Sequence, residues 1–200
     1  PTVTSAEAEA LMDKVGALGR PGDWWVLAGS LPPGSAETIY ADVIERLHAV
    51  GAHAILDTSG PPLRHGCEKG PFVVKPNAIE AAELTGKRVE TVEEARDAAA
   101  LIVDMGVNLV LISMGKAGAL LSDGEQTWWA KPPQVEERNP IGAGDASVAG
   151  LVWGLSQGLP LPEVLRWSVA SGAAAASLAG TAVGSYERVA SLVEQVNIAE

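Results

Sequence analysis

Four short apolar runs, Trp24–Ala28, Ala54–Asp57, Phe72–Lys75 and Leu109–Ser113, are separated by stretches long enough to hold helices. This alternation constrains the fold more than any other feature of the chain. Short apolar runs bounded by turn residues read as buried strands. Intervening segments of ten or more residues are the crossovers that parallel strands require. Helix signals fill the gaps. Thr4-x-x-Glu7 and Thr91-x-x-Glu94 are capping-box patterns, opening helices that run to about Leu18 and Met105. Ser35 is expected to cap a helix over residues 36–50, and short helices are expected over 61–69 and from Asn77 to about Leu84. Asp123-Gly124 is a strong hairpin signal between 119–122 and 126–130, and 134–137 reads as a further strand. Three helices are expected to follow, over 142–157, 162–178 and 186–196. The result is an α/β chain with a mostly parallel sheet and a late antiparallel edge, with residues 1–200 forming one domain or part of one.

Composition removes several function classes. The net charge is −11 and the pI about 4.7, which argues against a nucleic-acid partner, since phosphate backbones demand clustered Lys and Arg. A single phosphate ligand remains open, because a few backbone N–H groups and one lysine can hold it. Hydrophobic residues make up 47% of the chain, yet no uncharged apolar run is long enough to span a bilayer, so no membrane partner is expected. Cys67 is the sole cysteine. It cannot form an intrachain disulfide, and with no signal-peptide pattern the chain reads as cytoplasmic. Cys67 itself reads as a filler residue or an incidental surface thiol. His48, His53 and His65 have no metal-site spacing. Trp24, Trp25, Trp128 and Trp129 read as sheet and hairpin packing, and Trp153 and Trp167 as helical core.

Ligands of parallel sheets bind where strands lead into helices, and four loops there carry chemistry. In Asn139-Pro140-Ile141-Gly142-Ala143-Gly144-Asp145, the glycines allow close backbone approach to a ligand. The following helix start offers unpaired N–H groups and a partial positive charge. Asp145 lies in its first turn, where a carboxylate can reach a bound hydroxyl. The same residues also suit an ordinary helix start. In Lys75-Pro-Asn-x-x-Glu80, Lys75 offers a point charge for phosphate, and Asn77 and Glu80 could order water around Mg²⁺. Asn-x-x-Glu is equally a helix cap. Ser113-x-Gly115-x-x-Gly118 could shape a nucleotide pocket with backbone amides or be a plain glycine turn. Gly29-Ser30-Leu-Pro-Pro-Gly34 is a proline-stiffened loop in which Ser30 could approach a ligand.

Taken together, these motifs resemble the PfkB (ribokinase-like) carbohydrate kinase family. Asn139–Asp145 resembles its carboxyl-side signature, Lys75–Glu80 its magnesium–phosphate motif and Ser113–Gly118 its ATP loop. The Gly29–Gly34 loop and Asp57-Thr-Ser-Gly60 are similar to the branch holding 1-phosphofructokinase and tagatose-6-phosphate kinase. Asn139-Pro140 stands where the wider family commonly has Asp-Thr, a variant also similar to the tagatose-6-phosphate kinase branch.

The resemblance runs from about Trp24 to the C-terminus. It implies a three-layer α/β/α fold in which this chain is the C-terminal nucleotide-binding and catalytic part of one kinase domain, the N-terminal lid-bearing segment being absent. It implies ATP and Mg²⁺ as cofactors and a sugar phosphate as the partner molecule, with fructose 1-phosphate favoured. It also raises the expectation of a homodimer in the complete protein. Asp145 is the implied catalytic base, with Gly142, Ala143 and Gly144 as the anion hole. Lys75, Asn77, Ser113, Gly115 and Gly118 are the implied ATP contacts, Ser30 a sugar contact, and Asn77 and Glu80 the magnesium residues, acting through water. The alternatives are tagatose-6-phosphate kinase, another PfkB sugar kinase, or a non-catalytic nucleotide-binding regulatory domain. A dinucleotide-binding dehydrogenase is excluded, because no Gly-x-Gly-x-x-Gly follows the first strand.

Overall fold

The computed structural model describes residues 2–199. They fold as two compact units, one reaching to Ile112 with Ser122–Gly124 added, the other made of Ser113–Leu121 and the residues from Glu125 on.

The first unit opens with α1 (Ser5–Leu18). Its N-cap Thr4 and Glu7 form the reciprocal capping box that the spacing predicts. Strands β1 (Trp24–Ala28), β2 (His53–Asp57), β3 (Val73–Val74) and β4 (Leu109–Ser113) then pair in sequence order, all parallel. The crossovers are α2 (Ile39–Ala49), α3 (Gly60–Cys67), α4 (Ala78–Thr85) and α5 (Val92–Val103). The core sits on β2 and β4, where Ile55, Leu56, Leu111 and Ile112 have no exposed surface.

Three sequence expectations change here. Trp24–Ala28 is a strand but not a buried one. Only Leu27 is buried and Val26 is 44% exposed, because β1 pairs on one side alone among the described residues. The helix expected from residue 36 begins at Ile39. Ser35 does not cap it, since its hydroxyl is turned inward and meets no partner. The run Phe72–Lys75 narrows to two ladder residues between Pro71 and Pro76, because proline brings no N–H to a ladder. Elsewhere boundaries shift by one to three residues, most at the last helix, which ends at Val193 rather than at 196. Cys67 proves to be core, with no exposed surface.

In the second unit β5 (Ala119–Ser122), β6 (Thr127–Lys131) and β7 (Asn197–Ala199) lie side by side, β6 and β7 antiparallel. The expected strand at 134–137 is not one. It follows Pro132-Pro133, and the N–H groups of Arg138 and Asn139 turn instead to the Ala176 carbonyl, at 2.8 and 3.1 Å. The place beside β6 goes to β7, which carried no sequence signal. Helices α6 (Ala143–Ser156), α7 (Leu161–Ala176) and α8 (Tyr186–Val193) complete the unit. Trp153 and Trp167 are half-buried rather than core, packing on one another and on the exposed Tyr186. No helix among the described residues is long and apolar enough to cross a membrane.

Candidate active site

The helix start at Asn139–Asp145 is built to keep donors open. Gly142 is the N-cap of α6 and takes φ +83°, a conformation glycine adopts without strain. Asn139 clamps the approach: its amide donates to the Gly180 carbonyl, and its Oδ1 accepts the Ile141 N–H at 3.1 Å. The Ala143 N–H is spent on the Pro140 carbonyl, and the first helical bond runs from Ala146 to Gly142. The N–H groups of Gly142, Gly144 and Asp145 therefore have no protein partner among the described residues. Of the expected anion-hole residues, Ala143 brings no free N–H, and Asp145 adds one of its own. The Asp145 carboxylate is exposed and has no partner among the described residues, in the turn where the helix dipole favours negative charge.

What fixes this turn is the packing of α6 on α7. A Cβ on Gly150 would lie 2.4 Å from the Trp167 carbonyl oxygen, so the helices touch through backbone. Ser147 and Ser168 meet at 2.8 Å, and the buried Ser168 hydroxyl also donates to the Ser147 carbonyl at 3.0 Å.

In the same unit Ser113, Gly115 and Gly118 form one tight turn between β4 and β5. Met114 N–H donates to Gly118 O at 2.8 Å around a single 3-10 turn, Gly115–Ala117. Ser113 is half-buried at the strand end, Gly115 is exposed and Gly118 is buried.

The first unit brings the other expected residues to the carboxyl ends of its strands. Lys75 is almost fully buried after β3. Its ammonium lies 3.0 Å from Asp57 at the end of β2, the side chains being 6% and 17% exposed. Thr58 donates to the Gly29 carbonyl at 2.8 Å, and Tyr40 to the Ala28 and Gly29 carbonyls at 2.9 and 3.1 Å. Burial pushes the Tyr40 phenol above its ordinary pKa. These bonds set the β1 loop on which Ser30 is exposed. Asn77 and Glu80 form a full capping box on α4. Asn77 Oδ1 accepts the Ile79 and Glu80 N–H groups at 2.9 Å each, and Glu80 Oε2 accepts the Asn77 N–H at 2.8 Å. The other Glu80 oxygen has no protein partner among the described residues. Sequence reasoning did not single out Asp57 as the partner of Lys75, nor Tyr40 and Thr58 as supports of the Ser30 loop.

Comparison with known proteins decides the family. The sequence model of the pfkB family carbohydrate kinases matches residues 3–188. The chain belongs to the pfkB carbohydrate kinase family. The match begins upstream of Trp24, where the motif resemblance started.

Among curated relatives of this PfkB chain, the 1-phosphofructokinase of Bacillus subtilis is 35% identical over 198 residues, covering 99% of the chain and 64% of the relative. That of Rhodobacter capsulatus is 38% identical, over 88% of the chain and 56% of the relative. The crystal structure of phosphofructokinase-2 from Escherichia coli in complex with potassium superposes with a TM-score of 0.91 at 30% identity. It covers 96% of this chain and 63% of that one. The fold is thus the ribokinase-like α/β fold, and the chain spans less than two thirds of the length of these relatives.

Proposed function

We propose that the protein to which this chain belongs transfers the γ-phosphoryl group of ATP to a hydroxyl of a phosphorylated ketohexose, converting fructose 1-phosphate to fructose 1,6-bisphosphate. The observation that carries this is the start of α6, with three open N–H groups beside an exposed, unbonded carboxylate. Phosphoryl transfer asks mainly for positioning and for neutralisation of charge. Asp145 takes the proton of the acceptor hydroxyl, and that oxygen forms a bond to the γ-phosphorus as the bond to ADP breaks. The open N–H groups of Gly142, Gly144 and Asp145 donate to phosphoryl oxygens as negative charge develops on them. The names of the curated relatives support the choice of sugar.

Lys75 contributes a fixed positive charge. An ammonium has three donors, and Asp57 occupies one direction, so the others remain for phosphate oxygens. Magnesium, when bound, neutralises charge on the nucleotide phosphates. Its fit to this chain rests on one hard oxygen donor, the open Glu80 oxygen, acting through water with the cap left intact, while Asn77 Oδ1 is spent on the cap and Asn77 would hold that water layer only through its amide group. The Ser113–Gly118 turn contacts the nucleotide and Ser30 the sugar. In the complete protein we place the enzyme in the cytoplasm as a homodimer.

ADP formation by the full-length protein in MgATP tests the proposal, with fructose 1-phosphate, tagatose 6-phosphate, fructose 6-phosphate and ribose offered separately. Turnover confined to fructose 1-phosphate is expected. Turnover on tagatose 6-phosphate alone would move the substrate to the sister branch. No turnover with MgATP still bound would favour a nucleotide-binding regulator.

A further inference from the structure

We infer that Trp129 is a positioning residue for nucleotide binding: its indole N–H holds the Ser113–Gly118 turn in its ligand-ready shape. The inference rests on the kinase reading above, in which that turn touches ATP. Three glycine and alanine residues with no side-chain anchors of their own make up much of this turn. Gly115 and Gly118 sit at φ +56° and +109°, and the residues between them are exposed. Such a segment needs fixing from outside, because ordering each backbone residue costs about 1–2 kcal/mol.

Two features of β6 supply the fixing. Gly118 is pressed onto the strand so closely that a Cβ there would lie 2.0 Å from the Ala130 carbonyl oxygen. One residue earlier, the Ala117 carbonyl accepts the Trp129 indole N–H at 3.0 Å. Strand alternation explains why this indole is available. Trp128 points inward and is 6% exposed, so its neighbour Trp129 projects from the opposite face and remains half-buried. The third tie is the ion pair of Lys116 with Glu137 at 3.1 Å. The Lys116 side chain is 87% exposed, and such surface pairs contribute little. Among the described residues, the indole N–H is therefore the one neutral hydrogen bond that reaches the exposed part of the turn from outside it.

A turn that touches nucleotide both before and during transfer changes ground state and transition state alike. Loosening it raises KM for MgATP and leaves kcat in place. A residue with a general structural role would instead move stability, kcat and the sugar KM together.

The test uses the full-length protein with Trp129→Phe, and with β-(3-benzothienyl)alanine at position 129, which keeps the ring shape and lacks only the N–H. MgATP binding is measured by calorimetry, alongside steady-state kinetics and thermal unfolding. Both variants are expected to weaken MgATP binding and raise its KM by about three- to tenfold, the scale of one neutral hydrogen bond. The kcat and the sugar KM are expected to stay essentially as in the wild type, and the unfolding midpoint to fall by no more than the loss of one hydrogen bond, about 0.5–1.5 kcal/mol. Unchanged MgATP affinity in the benzothienyl variant would overturn the inference and leave the kinase reading standing. A joint loss of kcat, sugar affinity and stability would overturn it in favour of a structural role. A wild-type protein that binds no MgATP would overturn the kinase reading and this inference with it.

Discussion

Gly150→Ala and Gly16→Ala are the same substitution, in helices of the same length, yet the structure gives them opposite signs. On propensity alone, Gly to Ala in a helix interior gains about 0.8–1 kcal/mol. A Cβ on Gly16 in α1 meets nothing within 4 Å, so most of that gain should appear, reduced to about 0.5 kcal/mol because the site is near the helix end. A Cβ on Gly150 in α6 would fall 2.4 Å from the Trp167 carbonyl oxygen and 2.4 Å from the Ser171 hydroxyl. The hydroxyl can rotate away, but the carbonyl is backbone, so α7 must retreat by about 1 Å to restore ordinary contact.

Overpacking of that kind costs about 2–3 kcal/mol, and subtracting the propensity gain leaves a net loss of about 1–2 kcal/mol. With a urea m-value of about 2 kcal/mol/M, the midpoint should fall by about 0.5–1 M for Gly150→Ala and rise by about 0.25 M for Gly16→Ala. Urea unfolding followed by far-UV circular dichroism and tryptophan fluorescence measures both. A midpoint raised by Gly150→Ala would refute the claim that backbone contact with α7 holds α6, and with it Asp145, in place.

Four further outcomes follow from the geometry. Asp57→Leu leaves the Lys75 ammonium buried without its partner and should cost about 2–4 kcal/mol in urea unfolding. Adding Lys75→Met should recover most of that loss, and failure to recover would mean the pair is not what makes the single change costly. Glu80→Gln keeps a capping side chain, so stability should change by less than about 0.5 kcal/mol while the magnesium requirement of turnover rises. An unchanged magnesium dependence would leave Glu80 a cap and nothing more. Burial pushes the Cys67 thiol from 9.0 up to about 12, so the folded chain keeps its proton where the unfolded chain loses it. The contribution is fully present below pH 9 and is lost as pH rises from there toward about 12, which unfolding at graded alkaline pH would register. Iodoacetamide at pH 8 should spare the folded chain and label it in urea, and rapid labelling of folded protein would show Cys67 to be accessible.

Much of this was legible in the sequence, for reasons that are local. Thr4, Asn77 and Thr91 announced their helices because a capping box is a pattern four residues long. β2 and β4 announced themselves because a strand covered on both faces is apolar throughout. The Gly142–Asp145 turn was legible as a helix start because its glycines and the helical pattern after them are both visible in the chain.

What could not be read depended on distant partners. β7 has only three residues and exists because β6 offers it an edge. Residues 134–137 lost their strand to the Ala176 carbonyl, 38 residues beyond Arg138. The pairing of Asp57 with Lys75 requires knowing that β2 and β3 are neighbours in register. The role of Trp129 requires knowing where the carbonyl of Ala117 points.

The central claim, that Asp145 is the base of a phosphoryl transfer, is tested most directly by Asp145→Asn in the full-length protein, comparing kcat on fructose 1-phosphate with MgATP affinity. The replacement keeps the size of the side chain and the Asp145 N–H, and removes only the proton acceptor. The account predicts a kcat lower by about 10²- to 10⁴-fold with MgATP affinity unchanged. A kcat close to that of the wild type would contradict it.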